Sequence, residues 1–196
     1  SQAIMTVRNL EFLFRPASVA VVAEPDEPSR YAEVVLANLA AGGFSGPVVS
    51  VSARKRLLFH LGNDVHVGEL HVVPDLAIIC ASLDRVPSII QQLGARGTRA
   101  AIVGPWMWRK MSSGAIAKAR QAILEAARPY LMRVLGPGSG GLVVPARGLN
   151  ASAAPVAISV LDDGVDRQIE MLPNAERALR LSRAGQEAGQ DHQQRR

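Results

Sequence analysis

A short apolar run, Ser18–Val22, is followed at once by Glu24, Pro25, Asp26, Glu27 and Pro28. Carboxylates and prolines stand where a phosphate-cradling turn would carry glycines, whose bare backbone lets N–H groups point at an anion. Ser29 and Arg30 come next. Arg54-Lys55-Arg56 is the tightest basic cluster, and two readings fit it: cations for a ribose phosphate, or a solvated basic loop. Gly136-Pro137-Gly138-Ser139-Gly140-Gly141 is permissive enough to wrap an anion, and it also fits an ordinary glycine-rich turn. Ser139 has no general base near it in sequence, so no catalytic nucleophile is assigned.

Other candidates carry less. His60, Asp64, His66 and His71 match no metal-ligand spacing, and a loop surface accounts for them. Trp106-Met107-Trp108-Arg109-Lys110 could stack a planar ligand beside cations, or pack at a sheet edge or subunit contact. Cys80 ends an apolar run and reads as an inert buried thiol.

The elements that must position these residues alternate. Strands are expected at Val19–Val22, Pro47–Val51, Asp75–Cys80, Arg99–Val103 and Leu131–Leu135. Helices are expected at Ala32–Ala41, stopped by Gly42-Gly43, and at Val86–Leu93, stopped by Gly94. A third, Ser113–Ala127, has Ser112 or Ser113 as its N-cap. This alternation implies right-handed βαβ crossovers. The fold class is therefore α/β: a Rossmann-like, doubly wound, mostly parallel sheet of about five or more strands with helices on both faces. Ligands of such folds sit beyond the carboxyl ends of the strands, near the switch in strand order. Residues 1–160 are assigned to this domain, and 161–196 to a charged tail, partly helical (Ala175–Leu181) or disordered.

Composition narrows the function classes. The chain has 196 residues, 48% hydrophobic, which allows one substantial core and excludes wholesale disorder. Aromatics are only 4%, so the core must be aliphatic, as in parallel sheets. A single cysteine excludes a disulfide framework and fits a cytoplasmic location, where the Asn150-Ala151-Ser152 sequon would go unused. No secretory leader or membrane span is evident. The net charge of +5 is scattered, so nucleic acid is not the expected partner.

Six ordered stretches carry a resemblance: FRPASVAVV, LANLAAGGFSGPV, PDLAIIC, GARGTRAAIV, LEAARPYLMRVLGP and LVVPARGLNAS. From about Leu10 to Ser152 the chain resembles the N-terminal CoA-binding domain of NDP-forming acyl-CoA synthetases, which is also fused to bacterial protein lysine acetyltransferases and is similar to the succinyl-CoA synthetase alpha subunit. The resemblance implies CoA or acyl-CoA as the ligand and no metal. It places cofactor contacts at Ala23, Ser29 and Arg30 after strand one, and at Ser52, Arg54 and Lys55 after strand two. Ala81 and Ser82 after strand three, and Gly138 and Ser139 after strand five, complete the set.

The chain departs from the family's pattern at these loops. Gly-Ala-Ser becomes Ala23, Glu24 and Pro25, and Pro-Gly-Ser-x-Gly becomes Pro28, Ser29, Arg30, Tyr31 and Ala32. Asn-Pro-Lys becomes Ser52, Ala53 and Arg54, and Thr-Pro-Pro becomes Ala81, Ser82 and Leu83. Thr-x-Gly becomes Pro105, Trp106 and Met107, and Gly-Pro-Asn-Cys-x-Gly becomes Gly136 to Gly141. One carboxylate about 5 Å from a phosphate costs roughly 3 kcal/mol at an effective dielectric near 20. Two or three such contacts would cancel micromolar binding, worth about 8 kcal/mol. The expectation is a stand-alone CoA-binding-like domain with a remodelled, weakened site. It is not an independent enzyme, since the ATP-grasp, phosphohistidine and acetyltransferase domains of the related enzymes have no counterpart here. The alternative is a degenerate paralogue that binds no nucleotide and acts by protein contacts, as a regulatory or oligomerising module.

Overall fold

A computed structural model describes residues 8–24, 31–52, 65–67, 70–104, 112–154, 156–160 and 167–171. Its centre is a six-stranded parallel sheet in the order β3-β2-β1-β4-β5-β6. The strands are β1 (Val19–Ala23), β2 (Val48–Ser52), β3 (Val65–His66), β4 (Leu76–Cys80), β5 (Ala100–Val103) and β6 (Arg133–Leu135). Four helices accompany it: α1 (Glu11–Phe14), α2 (Tyr31–Gly42), α3 (Val86–Arg96) and α4 (Ser113–Ala127). This is the doubly wound α/β architecture anticipated from the alternation of elements.

Strands β1, β4 and β5 are buried along their whole length. That is why they read as unbroken apolar runs rather than alternating ones. Their side chains divide by the two-residue period of a strand. Ala20, Val22, Ala77, Ile79, Ala101 and Val103 join the core under α3 and α4. Val19, Val21, Leu76, Ile78, Ala100 and Ile102 join the core under α2. Helix α3 contributes Val86, Ile89, Ile90 and Leu93, an i, i+3, i+4, i+7 stripe. Helix α4 starts where Ser112 accepts a hydrogen bond from the Ala115 N–H at 3.3 Å, the expected N-cap.

Two boundaries move by more than one residue. Helix α3 does not stop at Gly94 but at Gly97, whose φ of 108° supplies the left-handed cap. Gly94 instead lies inside the helix, where a Cβ would run into the Tyr130 ring. Strand β6 begins at Arg133 rather than Leu131, because Leu131 takes φ 51° and ends a 3-10 turn over Arg128–Tyr130.

Beyond β6 the chain adds an antiparallel hairpin, β7 (Gly141–Val144) with β8 (Leu149–Ser152). It folds back onto α2. The buried Asn38 side chain donates to the carbonyls of Ser152 at 3.0 Å and Ala154 at 2.7 Å. Gly42 and Gly148 meet so closely that a Cβ on either would lie 2.5 Å from the other's carbonyl oxygen. A further antiparallel pair, β9 (Val156–Val160) with β10 (Arg167–Met171), follows; the sequence RQIEM carries no apolar run to announce β10. The proposed helix at 175–181 lies outside the described residues. No described helix is long and apolar enough to cross a membrane.

Candidate functional site

Strand order reverses between β1 and β4, which are parallel neighbours from which the chain proceeds outward to opposite edges of the sheet. Residues following their carboxyl ends therefore face each other at the switch point. Register sets Ala23 of β1 against Ser52 of β2 on one side and Cys80 of β4 on the other. Ala23 is buried on the α2 side, and Ala81 is fully buried on the α3–α4 side.

Glu24 is the first residue beyond β1, and it turns inward. Its N–H donates to the Cys80 carbonyl at 3.2 Å, continuing the ladder one step past the strand. Its carboxylate Oε2 accepts from the Ser82 N–H at 3.0 Å and from the Ser82 hydroxyl at 2.9 Å. Oε1 lies 3.4 Å from Nε of Arg85, and the Glu24 side chain is only 5% exposed against 41% for Arg85. Ser82 in turn accepts from the N–H groups of Arg85 and Val86, so it heads the turn into α3. The carboxylate is thus held at the positive end of an 11-residue helix. Sequence reasoning counted Glu24 only as a charge opposing a phosphate, and it missed Arg85. The adjacency of Glu24 and Ser82, 58 residues apart, follows once β1 is placed beside β4.

The loop after β6 is stitched to the same edge. Gly136, Gly138 and Gly141 all take positive φ, which the glycine-rich composition allows. The Gly138 N–H donates to the Gly104 carbonyl at 3.3 Å. Ser139 folds over its own loop, its hydroxyl accepting from the Gly141 N–H at 3.1 Å and donating to the Gly141 carbonyl at 3.3 Å. Between this loop and α2 lies a shallow, open cleft whose internal space is only about 10 Å³. Tyr31 and Val35 of α2, Cys80 of β4, Ile102 of β5, Ser139 and Ala151 are among its walls. The cleft has room for about one water-sized group, and none of its lining residues carries a full charge.

Of the site residues named from sequence, Ala23, Ala81 and Ser82 gather at the switch point, while Ser139 lines the cleft and Gly138 lies beside it. Ser52 ends β2 at the same edge. Ser29, Arg30, Arg54, Lys55 and the Trp106–Lys110 stretch lie outside the described residues. So do His60 and Asp64, and no metal-ligating cluster occurs among the described residues.

Several known proteins are similar to this chain. The ADP-forming acetate–CoA ligase I subunit alpha of Pyrococcus furiosus is 28% identical over 155 residues, covering 76% of this chain and 33% of that protein. The ADP-forming acetate–CoA ligase I of Archaeoglobus fulgidus is 26% identical over 148 residues, covering 76% of this chain and 21% of the relative. The chain thus spans about a third or less of the length of these relatives. Among solved structures, the dinucleotide forming acetyl-coenzyme A synthetase 1 of Ca. Korarchaeum cryptofilum, in complex with phosphate and ADP, superposes with a TM-score of 0.63. It is 29% identical and covers 74% of this chain and 31% of that one. A crystal structure of a Pyrococcus horikoshii OT3 protein shares the fold, with a TM-score of 0.62 at 24% identity over 76% of this chain and 34% of that one. The profile of the CoA binding domain family matches residues 17–145, and the chain belongs to that family.

Proposed function

We propose that this domain is a CoA-binding-like module whose grip on the nucleotide is remodelled and weakened, and that by itself it binds rather than catalyses. The carrying observation is the state of the polar groups at the switch edge. The N–H groups of Ser82, Gly138 and Gly141 are each engaged within the protein, while the neighbouring cleft is largely apolar. Such an edge withholds these donors from the diphosphate of CoA. Arg54 and Lys55, with Ser29 and Arg30, are the residues proposed to hold phosphate. The working location is the cytoplasm.

A thermal-shift titration with CoA, acetyl-CoA, ATP and NADPH, followed by calorimetry, tests this. Ligand at 100 times its dissociation constant adds about 2.7 kcal/mol, or roughly 5–10 °C for a domain of this size. The expected result is a shift with CoA or acetyl-CoA only at high concentration, abolished by replacing Arg54 and Lys55 with Ala. Submicromolar CoA binding, or no shift with any nucleotide, refutes it.

One observation favours the second reading, a module working through protein contacts as a homo-oligomer or with another protein. Phe14, Val72, Val73 and Leu131 are exposed large apolar residues, and each belongs to a segment leading into the amino end of a strand. Light scattering distinguishes a monomer from an oligomer, and Leu131→Asp would dissociate an oligomer formed through that edge.

A further inference from the structure

We infer that Glu24 is a built-in anion: its carboxylate fills, from within the chain, the place at the β1–β4 switch where an outside phosphate would bind, and so excludes phosphate there. Three observations carry this. The side chain is almost wholly buried, although it belongs to the loop edge of the sheet. Its Oε2 takes both donors of Ser82, a main-chain N–H and a hydroxyl, the pair of groups that oxyanions take at such positions. Arg85 completes the arrangement with a cation 3.4 Å from Oε1. Donors, cation and helix end together form an oxyanion subsite, and the chain occupies that subsite itself.

The inference deepens the proposed function, resting on the reading that the carboxyl edge receives the ligand. It assigns the loss of diphosphate affinity chiefly to one residue. A carboxylate held in this way repels an incoming phosphate and also withholds the groups that would bind it. Glu24 is a specificity determinant, and the groups beneath it remain competent. Removing the carboxylate uncovers a subsite for inorganic phosphate or pyrophosphate made of Ser82 and Arg85.

The test uses the full chain and inorganic pyrophosphate, measured by calorimetry at low salt and by thermal shift. Wild type binds pyrophosphate only weakly. Glu24→Ala binds pyrophosphate roughly tenfold or more tighter than wild type, with Glu24→Gln between them because the amide keeps the space filled but loses the charge. Adding Arg85→Ala to Glu24→Ala returns the affinity to the wild-type level. Should Glu24→Ala fail to fold, Glu24→Gln carries the test, since its amide oxygen still accepts from Ser82.

Equal affinities in wild type and both Glu24 variants overturn the inference. A gain that survives Arg85→Ala overturns it too, by placing the anion elsewhere. Parallel titrations with CoA separate this from the proposed function. Pyrophosphate captured by the variant while CoA binds neither protein upholds the internal anion and refutes the CoA reading. CoA bound equally well by wild type and Glu24→Ala does the reverse.

Discussion

Asn38 joins α2 to the hairpin that closes the cleft, and its replacement gives a quantitative test of that join. The side-chain amide supplies both protons, one to Ser152 O and one to Ala154 O. In Asn38→Ala both carbonyls lose their donor. Ser152 is 7% exposed, so its carbonyl pays close to the full cost of a buried unsatisfied group, about 1–3 kcal/mol. Ala154 is half-buried, and water recovers part of its loss, leaving about 1 kcal/mol. The expected destabilisation is about 2–4 kcal/mol, or roughly 5–15 °C in melting temperature. Asn38→Asp nearly preserves the shape but directs oxygens without protons at two carbonyls, so it should be worse than Ala. Urea denaturation followed by circular dichroism reads both variants, with an unchanged m-value showing that stability alone has altered. A loss under about 1 kcal/mol for Ala, or an Asp variant as stable as the Ala variant, would refute the claim that these two hydrogen bonds hold the hairpin down.

Two further outcomes follow from burial and backbone geometry. Thr98 is fully buried and its hydroxyl has no hydrogen-bond partner among the described residues, so Thr98→Val should raise stability by about 1 kcal/mol in the same denaturation assay. Gly148 takes φ 63°, and a Cβ there would lie 2.5 and 2.6 Å from the Gly42 and Gly43 carbonyl oxygens. Gly148→Ala should cost about 2–4 kcal/mol, the sum of left-handed strain and overpacking, and calorimetric melting checks it.

Burial on both faces made the centre of the fold legible. VAVV, LAIIC and AAIV are apolar at every position because each strand lies between two helical layers. Helix α4 was legible for a local reason, since Ser112 caps it and its apolar positions keep a helical period. The hairpin was not, although its residues were quoted as part of a family pattern. GLVV and LNAS show no alternation, and what secures them is Asn38, more than a hundred residues earlier. Strand β3 has two residues and exists by pairing with β2, so no local pattern marks it. The candidate site was half legible. The loops that meet at the switch point follow from strand order, and Ala23, Ala81, Ser82 and Ser139 do lie at that edge. The inward turn of Glu24 was hidden because a carboxylate beside two prolines looks solvated until its partners across the switch are known.

The hairpin also sets a schedule for the nascent chain. Its anchor on α2 spans 114 residues of sequence. At a synthesis rate of about 5–20 residues per second, roughly 6–20 s separate the making of Asn38 from the making of Ser152. Over that interval the apolar side of α2 that the hairpin will cover has no native lid, which is when a chaperone would have most to hold. The family match ends at residue 145, before β8 begins at Leu149. A fragment cut at the match boundary would carry that bare face permanently, and the shortest version that folds cleanly should run past Ala154.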